Sequence, residues 1–312
     1  MKIVFMGTPD YAVETLKALV SAKHEVAAVF CQPDKPVGRK QILTAPPVKV
    51  TALEYDIPVY QPATLKDEQA KAILREIAPD VIVVVAYGKL LPEDVLSIPK
   101  FGCVNGHASL LPAYRGASPI QWCIVCGEEK TGITTMLMDK GMDTGDILEQ
   151  LTVDIGKEET AEELFERFSV LSAKLMISTL EKLEKGEIAP QKQDEEKASY
   201  APIIKKEMAK LDFNKTAKEL HNEVRGYYSW PCAFFFMGGK RIKVISATVG
   251  EECNAPASTV VGNENELVIA CGENTSIKIN VLQPEGSKQM TAKQYLNGNN
   301  IEIGMTVGES NG

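Results

Sequence analysis

The chain begins with KIVFMG, an uninterrupted apolar stretch that predicts a strand buried on both faces. PDYAVETLKALVSA follows with apolar positions at helical spacing, and Thr8 and Pro9 offer an N-cap and a first-turn proline. HEVAAVFC predicts a second strand, PVKVTALEY a helix, IPVYQP a short strand and LKDEQAKAILREI an amphipathic helix. DVIVVVAYG reads as the most deeply buried strand, and GCVN as another that runs into Asn105. Strands alternating with helices imply an α/β fold, an open and mostly parallel sheet with helices on both faces. Ligands of such sheets bind beyond the carboxyl ends of the strands.

The pattern changes in the second half. TAEELFERFSVLSAKLMISTLEKLEKG is one long amphipathic run, which predicts a single helix. EIAPQKQDEEKASYAPII is polar, proline-containing and aperiodic, and is read as a linker. After a further helix, NKTAKELHNEVRGYY, short apolar runs are separated by Gly and Asn turns, as in AFFFMGGKRIKVISATV and TVVGNENELVIACGENTSIKINVLQP. That predicts a small C-terminal β-barrel of the OB-like kind. The expected division is a catalytic domain over 1–189, a linker over 190–206 and the barrel domain over 207–312.

Composition narrows the function classes. Of 312 residues, 44% are hydrophobic and 24% charged, the balance of a globular protein. No apolar run approaches the roughly 18 residues of a membrane span, so no membrane partner is expected. The N-terminus reads as a strand and not as a signal peptide, so a cytoplasmic location, as a monomer, is the expectation. The seven cysteines are odd in number and scattered, which argues against a disulfide framework. Cys123 and Cys126 have C-x-x-C spacing but are read as small buried residues of a helix, and no metal site is expected. A net charge of −8 excludes a uniformly basic nucleic-acid binder while leaving local basic patches open.

NGHASLLPAYRGASPI carries one of only three histidines, His107, two residues after Asn105. On an extended strand end the two side chains share a face. Further on, MDKGMDTGDIL sets Asp139, Asp143 and Asp146 among glycines. A carboxylate beside an imidazole makes a proton carrier, and an asparagine amide can hold a carbonyl oxygen as charge grows on it. There is no G-x-S-x-G elbow, G-x-G-x-x-G or P-loop. Asn, His and Asp together suit transfer of a one-carbon or acyl group without a covalent enzyme intermediate. The residues alone equally allow a satisfied loop histidine and turn-capping aspartates.

NGHASLLPAYRGASPI followed by TGITTMLMDKGMDTGDIL closely resembles the signature of the folate-dependent formyltransferases. MGTPDYAV, QPDKPVGRK, VVVAYGKLLP and YYSWPCAFF narrow the resemblance to the branch that acts on tRNA. It runs from Met1 to about Leu296 and implies a Rossmann-like sheet. It also implies formyl transfer from 10-formyltetrahydrofolate to the methionine amino group of initiator methionyl-tRNA. Carried over by motif, the catalytic residues fall on Asn105, His107 and Asp143, and the folate-contacting turn on Ser109, Leu110, Leu111 and Pro112. One departure is Gly106, where the family usually has valine. Glycine weakens a strand, so Gly106→Val is expected to stiffen this one. An amino-sugar nucleotide as acceptor, or a non-catalytic folate- or nucleic-acid-binding protein, are the alternatives.

QPDKPVGRKQILTAPPVK sets Lys35, Arg39, Lys40 and Lys49 against Asp34 in a long connection. Composition permits a merely solvated loop. The resemblance implies a loop at the acceptor end of tRNA, with Lys35, Arg39 and Lys40 as the tRNA-binding residues. Basic residues also outnumber acidic ones between Lys205 and Lys243. Tyr227, Tyr228 and Trp230 could stack on bases, but a core position is the preferred reading.

Overall fold

The computed structural model describes residues 1–38 and 40–308. In chain order these form β1 (Lys2–Gly7), α1 (Val13–Ser21), β2 (Glu25–Phe30), β3 (Lys35–Val37), β4 (Ile42–Thr44), α2 (Pro47–Glu54), β5 (Val59–Tyr60), α3 (Glu68–Ile77) and β6 (Val81–Val85). Next come α4 (Glu93–Leu96), β7 (Cys103–His107), β8 (Arg115–Gly116), α5 (Pro119–Val125), β9 (Lys130–Leu137), β10 (Asp146–Asp154) and α6 (Ala161–Lys185). The remainder holds β11 (Tyr200–Ala201), α7 (Ala217–Gly226), β12 (Phe234–Met237), β13 (Lys240–Val249), β14 (Val260–Gly262), β15 (Leu267–Ala270), β16 (Ser276–Pro284), β17 (Met290–Thr291) and α8 (Ala292–Gly298).

Two compact units emerge. The first comprises Met1–Pro119, Lys130–Asp154 and Phe165–Ala201; the second comprises Ile120–Glu129, Ile155–Leu164 and Pro202–Gly312. The first unit is built on a sheet of order β10-β9-β7-β6-β1-β2-β5. From β7 to β5 the strands are parallel, while at the other edge β9 pairs antiparallel with β7 and β10 pairs antiparallel with β9. This is the mostly parallel sheet that the alternating pattern predicts, and it is Rossmann-like as the resemblance implies. All of β6 is buried, as its unbroken β-branched sequence requires. The chain leaves β1 toward β2 on one side and returns to β6 on the other, so the strand order reverses there, which is where sheets of this kind bind ligands at their carboxyl ends.

Three local expectations change. Thr8 does not cap a helix: its Oγ1 donates to the Tyr87 carbonyl and accepts from the Gln32 N–H, tying three strand ends together. A short 3-10 turn, Asp10–Ala12, precedes α1 instead. The 33–49 connection is folded in part as the β3–β4 hairpin, whose Val37, Ile42 and Leu43 are exposed. Of the C-x-x-C pair, Cys123 is buried in α5, whereas Cys126 lies just past its end and is exposed.

The second unit contains the small antiparallel β domain expected from its turns, in the order β12-β13-β16-β15-β14, with β17 on β16. Residues 304–308 close it. On the β14 side Gly304 N–H donates to the Val260 carbonyl, Val260 N–H to the Met305 carbonyl and Val307 N–H to the Ser258 carbonyl. On the β12 side Gly308 N–H donates to the Phe236 carbonyl. Both edges are thereby partnered, which is how a small barrel avoids presenting open strands. Its core includes Phe213 and Phe235, packed edge to face at 5.6 Å, and α7, which starts at a Thr216–Glu219 capping box.

Candidate functional site

β7 carries Asn105 and His107 to the carboxyl edge of the sheet, between β6, which pairs Val84 with Asn105, and β9, which pairs His107 with Thr134. Strand alternation puts Gly106 on the other face, against α6. A Cβ there would lie 3.0 Å from Ser172 Oγ, 3.4 Å from Met176 Cε and 3.7 Å from Val85 Cγ2. A side chain at 106 needs Ser172 and Met176 to give by a few tenths of an ångström, so the sign of the expected stiffening by valine is set by how far those two α6 side chains yield.

His107 is 7% exposed. Its Nε2 lies 2.9 Å from the Tyr114 carbonyl oxygen. A carbonyl only accepts, so Nε2 carries the proton and the neutral ring presents the lone pair of Nδ1. Nδ1 is 3.7 Å from Asp143 Oδ2, close enough for ion pairing but too far for a direct hydrogen bond. That same Oδ2 accepts the Gly116 N–H at 2.8 Å. The segment Tyr114–Gly116 thus touches His107 at one end and Asp143 at the other. Tyr114 and Asp143 both adopt left-handed φ, +59° and +57°, a conformation held where surrounding bonds enforce it. Asn105 is half-buried, and its amide has no hydrogen-bond partner among the described residues. Asp139 is spent on its own turn, accepting from Gly141 N–H and Thr144 Oγ1, and Asp146 starts β10. Of the three aspartates, Asp143 is the one paired with His107.

The polar segment after α6 supplies residues that pattern reading missed. Arg115 has a fully buried side chain, and its guanidinium donates twice to Glu195, at 2.9 and 2.7 Å, and twice to Gln193 Oε1, at 3.0 and 2.8 Å. The hydrogen bonds from Arg115, helped by its charge, hold the Glu195 carboxyl below its ordinary value. Gln193 Nε2 donates to the carbonyls of Asp143 and Gly145. Arg115 N–H donates to the Ser199 carbonyl, and Ser199 Oγ accepts from Tyr114 N–H. β11 pairs in parallel with β8. A connecting segment so bonded also braces the site loops.

The Ser109–Pro112 turn is fixed mainly by residues of β9 and β10. Ser109 Oγ donates to the Ala113 carbonyl, and Thr134 Oγ1 donates to the Ser109 carbonyl and accepts from Leu111 N–H. Gln150 Nε2 donates to the Leu111 carbonyl. Ser109 and Leu111 are buried; Leu110 and Pro112 keep partly exposed apolar faces. The Ser109 hydroxyl is thus spent within the turn, and what the turn leaves exposed at Leu110 and Pro112 is apolar.

Lys35 and Lys40 are exposed at the β3–β4 hairpin. Arg39 lies outside the described residues. Lys49 is neutralised, its Nζ bonded to both Asp34 oxygens and to Gln61. Lys89 has its pKa lowered by partial burial and by the like charge of Lys35. In the second unit, Lys215 pairs with Glu223, and the buried Arg225 guanidinium donates to the Gly156 and Glu159 carbonyls. Arg241 stacks on Phe234, 3.7 Å from the ring centroid. Tyr227 is core, as the preferred reading expects, whereas Trp230 is 54% exposed. Among the described residues no group of three or more His, Cys, Asp or Glu could hold a metal ion. No helix among them is long and apolar enough to cross a membrane.

Family models match both parts of the chain: formyl transferase over residues 1–180 and formyl transferase, C-terminal domain, over 203–300. The methionyl-tRNA formyltransferase of Lachnospira eligens is 46% identical over 99% of this chain and 100% of its own length. That of Geobacter metallireducens is 44% identical over 99% of each. Among solved structures, the N-formyltransferase of Helicobacter canadensis, in complex with folinic acid and dTDP-3-aminofucose, superposes with a TM-score of 0.69 at 20% identity. It covers 89% of this chain, which covers 98% of it. The methionyl-tRNA formyltransferase of Clostridium thermocellum gives a TM-score of 0.57 at 23% identity, covering 80% and 93%. At these identities the two structures speak to the fold.

Proposed function

This chain belongs to the formyl transferase family, and we propose that it formylates initiator methionyl-tRNA from 10-formyltetrahydrofolate, giving N-formylmethionyl-tRNA for translation initiation. The observation that carries the chemistry is the His107–Asp143 pair, braced across Tyr114–Gly116 at the carboxyl end of β7. The acceptor is supported by the methionyl-tRNA formyltransferases that align over nearly the whole chain.

In the reaction a C–N bond forms between the methionine amine and the formyl carbon, and the bond from that carbon to the donor nitrogen breaks. The amine gives up one proton and the donor nitrogen gains one. Nδ1 of His107 is the free ring nitrogen, so it takes the amine proton. The Asp143 carboxylate stabilises the resulting imidazolium, which returns the proton to the leaving nitrogen. The Asn105 amide, free to donate, holds the formyl oxygen as negative charge gathers on it. Leu110 and Pro112 offer apolar contact to the folate, and the backbone of Ser109 and Leu111 shapes its seat. Lys35, Arg39 and Lys40 attract the acceptor end of the tRNA. Residues 1–189 perform the chemistry, 190–206 connect, and 207–312 bind the tRNA body. The enzyme works in this reading as a cytoplasmic monomer.

The test is incubation of the purified chain with 10-formyltetrahydrofolate and charged initiator tRNA, scored by recovery of N-formylmethionine. Formylation of an amino-sugar nucleotide in its place would overturn the acceptor. Folate binding without formylation of either would overturn the chemistry.

A further inference from the structure

We propose that Gln193 is a positioning residue for formyl transfer: its side-chain amide sets the spacing of His107 and Asp143 by locking their two supporting segments together. The inference rests on the formyl-transfer reading of the site. All hydrogen-bonding capacity of the amide is used. Its two N–H groups go to the carbonyls of Asp143 and Gly145, at 2.8 and 2.7 Å. The two lone pairs of Oε1 take Nε and Nη2 of Arg115, at 3.0 and 2.8 Å. The partners fix the orientation, because carbonyls need donors and a guanidinium needs an acceptor.

The two segments joined are those that hold the reacting pair. On one side, Asp143 is gripped by its own carbonyl while its carboxylate accepts from Gly116. On the other, Arg115 lies between Tyr114, whose carbonyl holds His107, and Gly116. Gln193 touches neither His107 nor any reacting atom, and acts through both. Glutamine is the residue that donates twice on one side and accepts twice on the other at this length. Glutamate would turn a carboxylate oxygen toward two carbonyls. Methionine fills the volume with no hydrogen bond. Glu195 balances the Arg115 charge with two bonds of its own, which frees Gln193 to be neutral.

The experiment uses the full chain with Gln193→Met and Gln193→Glu, each alone and combined with Asp143→Asn. Expected is a fall in kcat of roughly 10- to 100-fold, as small misplacements of reacting groups produce. KM for tRNA and for the folate should stay within about twofold, the signature of a loss confined to the transition state. On the Asp143→Asn background the same change should cost less than about threefold, since the group being positioned is already disabled. Equal losses on both backgrounds, a loss carried by KM, or unchanged kcat each overturn the proposal. Should the methionine variant not fold, the glutamate variant, which keeps the volume and an acceptor for Arg115, carries the same test. Amide hydrogen exchange at Gly116 supplies a readout independent of activity. It should accelerate in the variants while β6 amides stay protected, and unchanged Gly116 protection overturns the positioning role. A wild-type chain inactive on methionyl-tRNA overturns the proposed function and leaves the exchange result to decide this one.

Discussion

The carbonyl oxygen of Tyr114 accepts the Nε2 proton of His107 at 2.9 Å, and so leaves Nδ1 as the ring's basic atom. The proton-transfer role proposed for His107 rests on that tautomer. His107→Ala should lower kcat by roughly 100-fold or more, the usual weight of a positioned acid–base group. Circular dichroism and melting should remain near wild type, since β7 keeps its backbone pairing. Turnover close to wild type would remove His107 from the chemistry.

Asp143→Asn keeps the shape and an acceptor for Gly116 N–H while discharging the carboxylate. Steady-state kinetics should show a large loss of kcat with little change in tRNA affinity. If affinity falls and turnover holds, Asp143 is a binding residue.

Gly106→Val should destabilise by about 1–3 kcal/mol, the usual cost of overpacking, because Ser172 Oγ already stands 3.0 Å from the Cβ position. Thermal denaturation checks the sign. Gly106→Ala together with Ser172→Ala should recover much of the loss. A higher melting temperature for the single valine variant would mean that α6 yields more readily than this packing implies.

Lys35→Ala with Lys40→Ala should raise KM for tRNA and leave folate binding unchanged. Every lysine–phosphate ion pair removed should flatten the logarithmic salt dependence of tRNA binding by about 0.7–0.9. A binding isotherm series across salt concentrations measures the slope. An unchanged slope would place the tRNA backbone away from the β3–β4 hairpin.

Burial pushes the Glu223 carboxyl above its ordinary value of 4.5, outweighing the help of Lys215. Its folded pKa exceeds its unfolded one, so its contribution is most favourable at low pH and is lost as pH rises through the folded value. Glu223→Gln should therefore melt higher than wild type at neutral pH. The gap should close as pH falls through the raised folded pKa toward 4.5. A variant less stable at pH 7 would show that the pairing with Lys215 outweighs burial.

The parallel sheet was legible because β6 and β1 are continuous apolar runs, and a strand buried on both faces has few other sequences available to it. His107 stood out by rarity and polar surroundings, and the family resemblance singled out Asp143 among the three aspartates of MDKGMDTGDIL. Gln193 and Arg115 left no trace of that kind. Their side-chain partners lie 48 to 80 residues away, and a polar, aperiodic stretch has the same composition whether it hangs in solvent or braces a site. The β3–β4 hairpin was hidden for a related reason: both of its short strands are exposed, so no alternation of apolar and polar positions marks them. The effect of a side chain at Gly106 was not legible, because strand propensity carries no information about how near α6 comes.

The bonds from Gln193 to Asp143 and Arg115 also bear on how activity is acquired during folding. They close loops of 50 and 78 residues, no longer than the loop between the paired Ile3 and Val81, but unlike that pairing they bury no run of apolar side chains to offset the entropy of closure. The apolar sheet needs none of them. Refolding chains should therefore gain β-structure and buried core before they gain turnover. A protein stalled at that stage would look native by its spectrum and fail to transfer a formyl group.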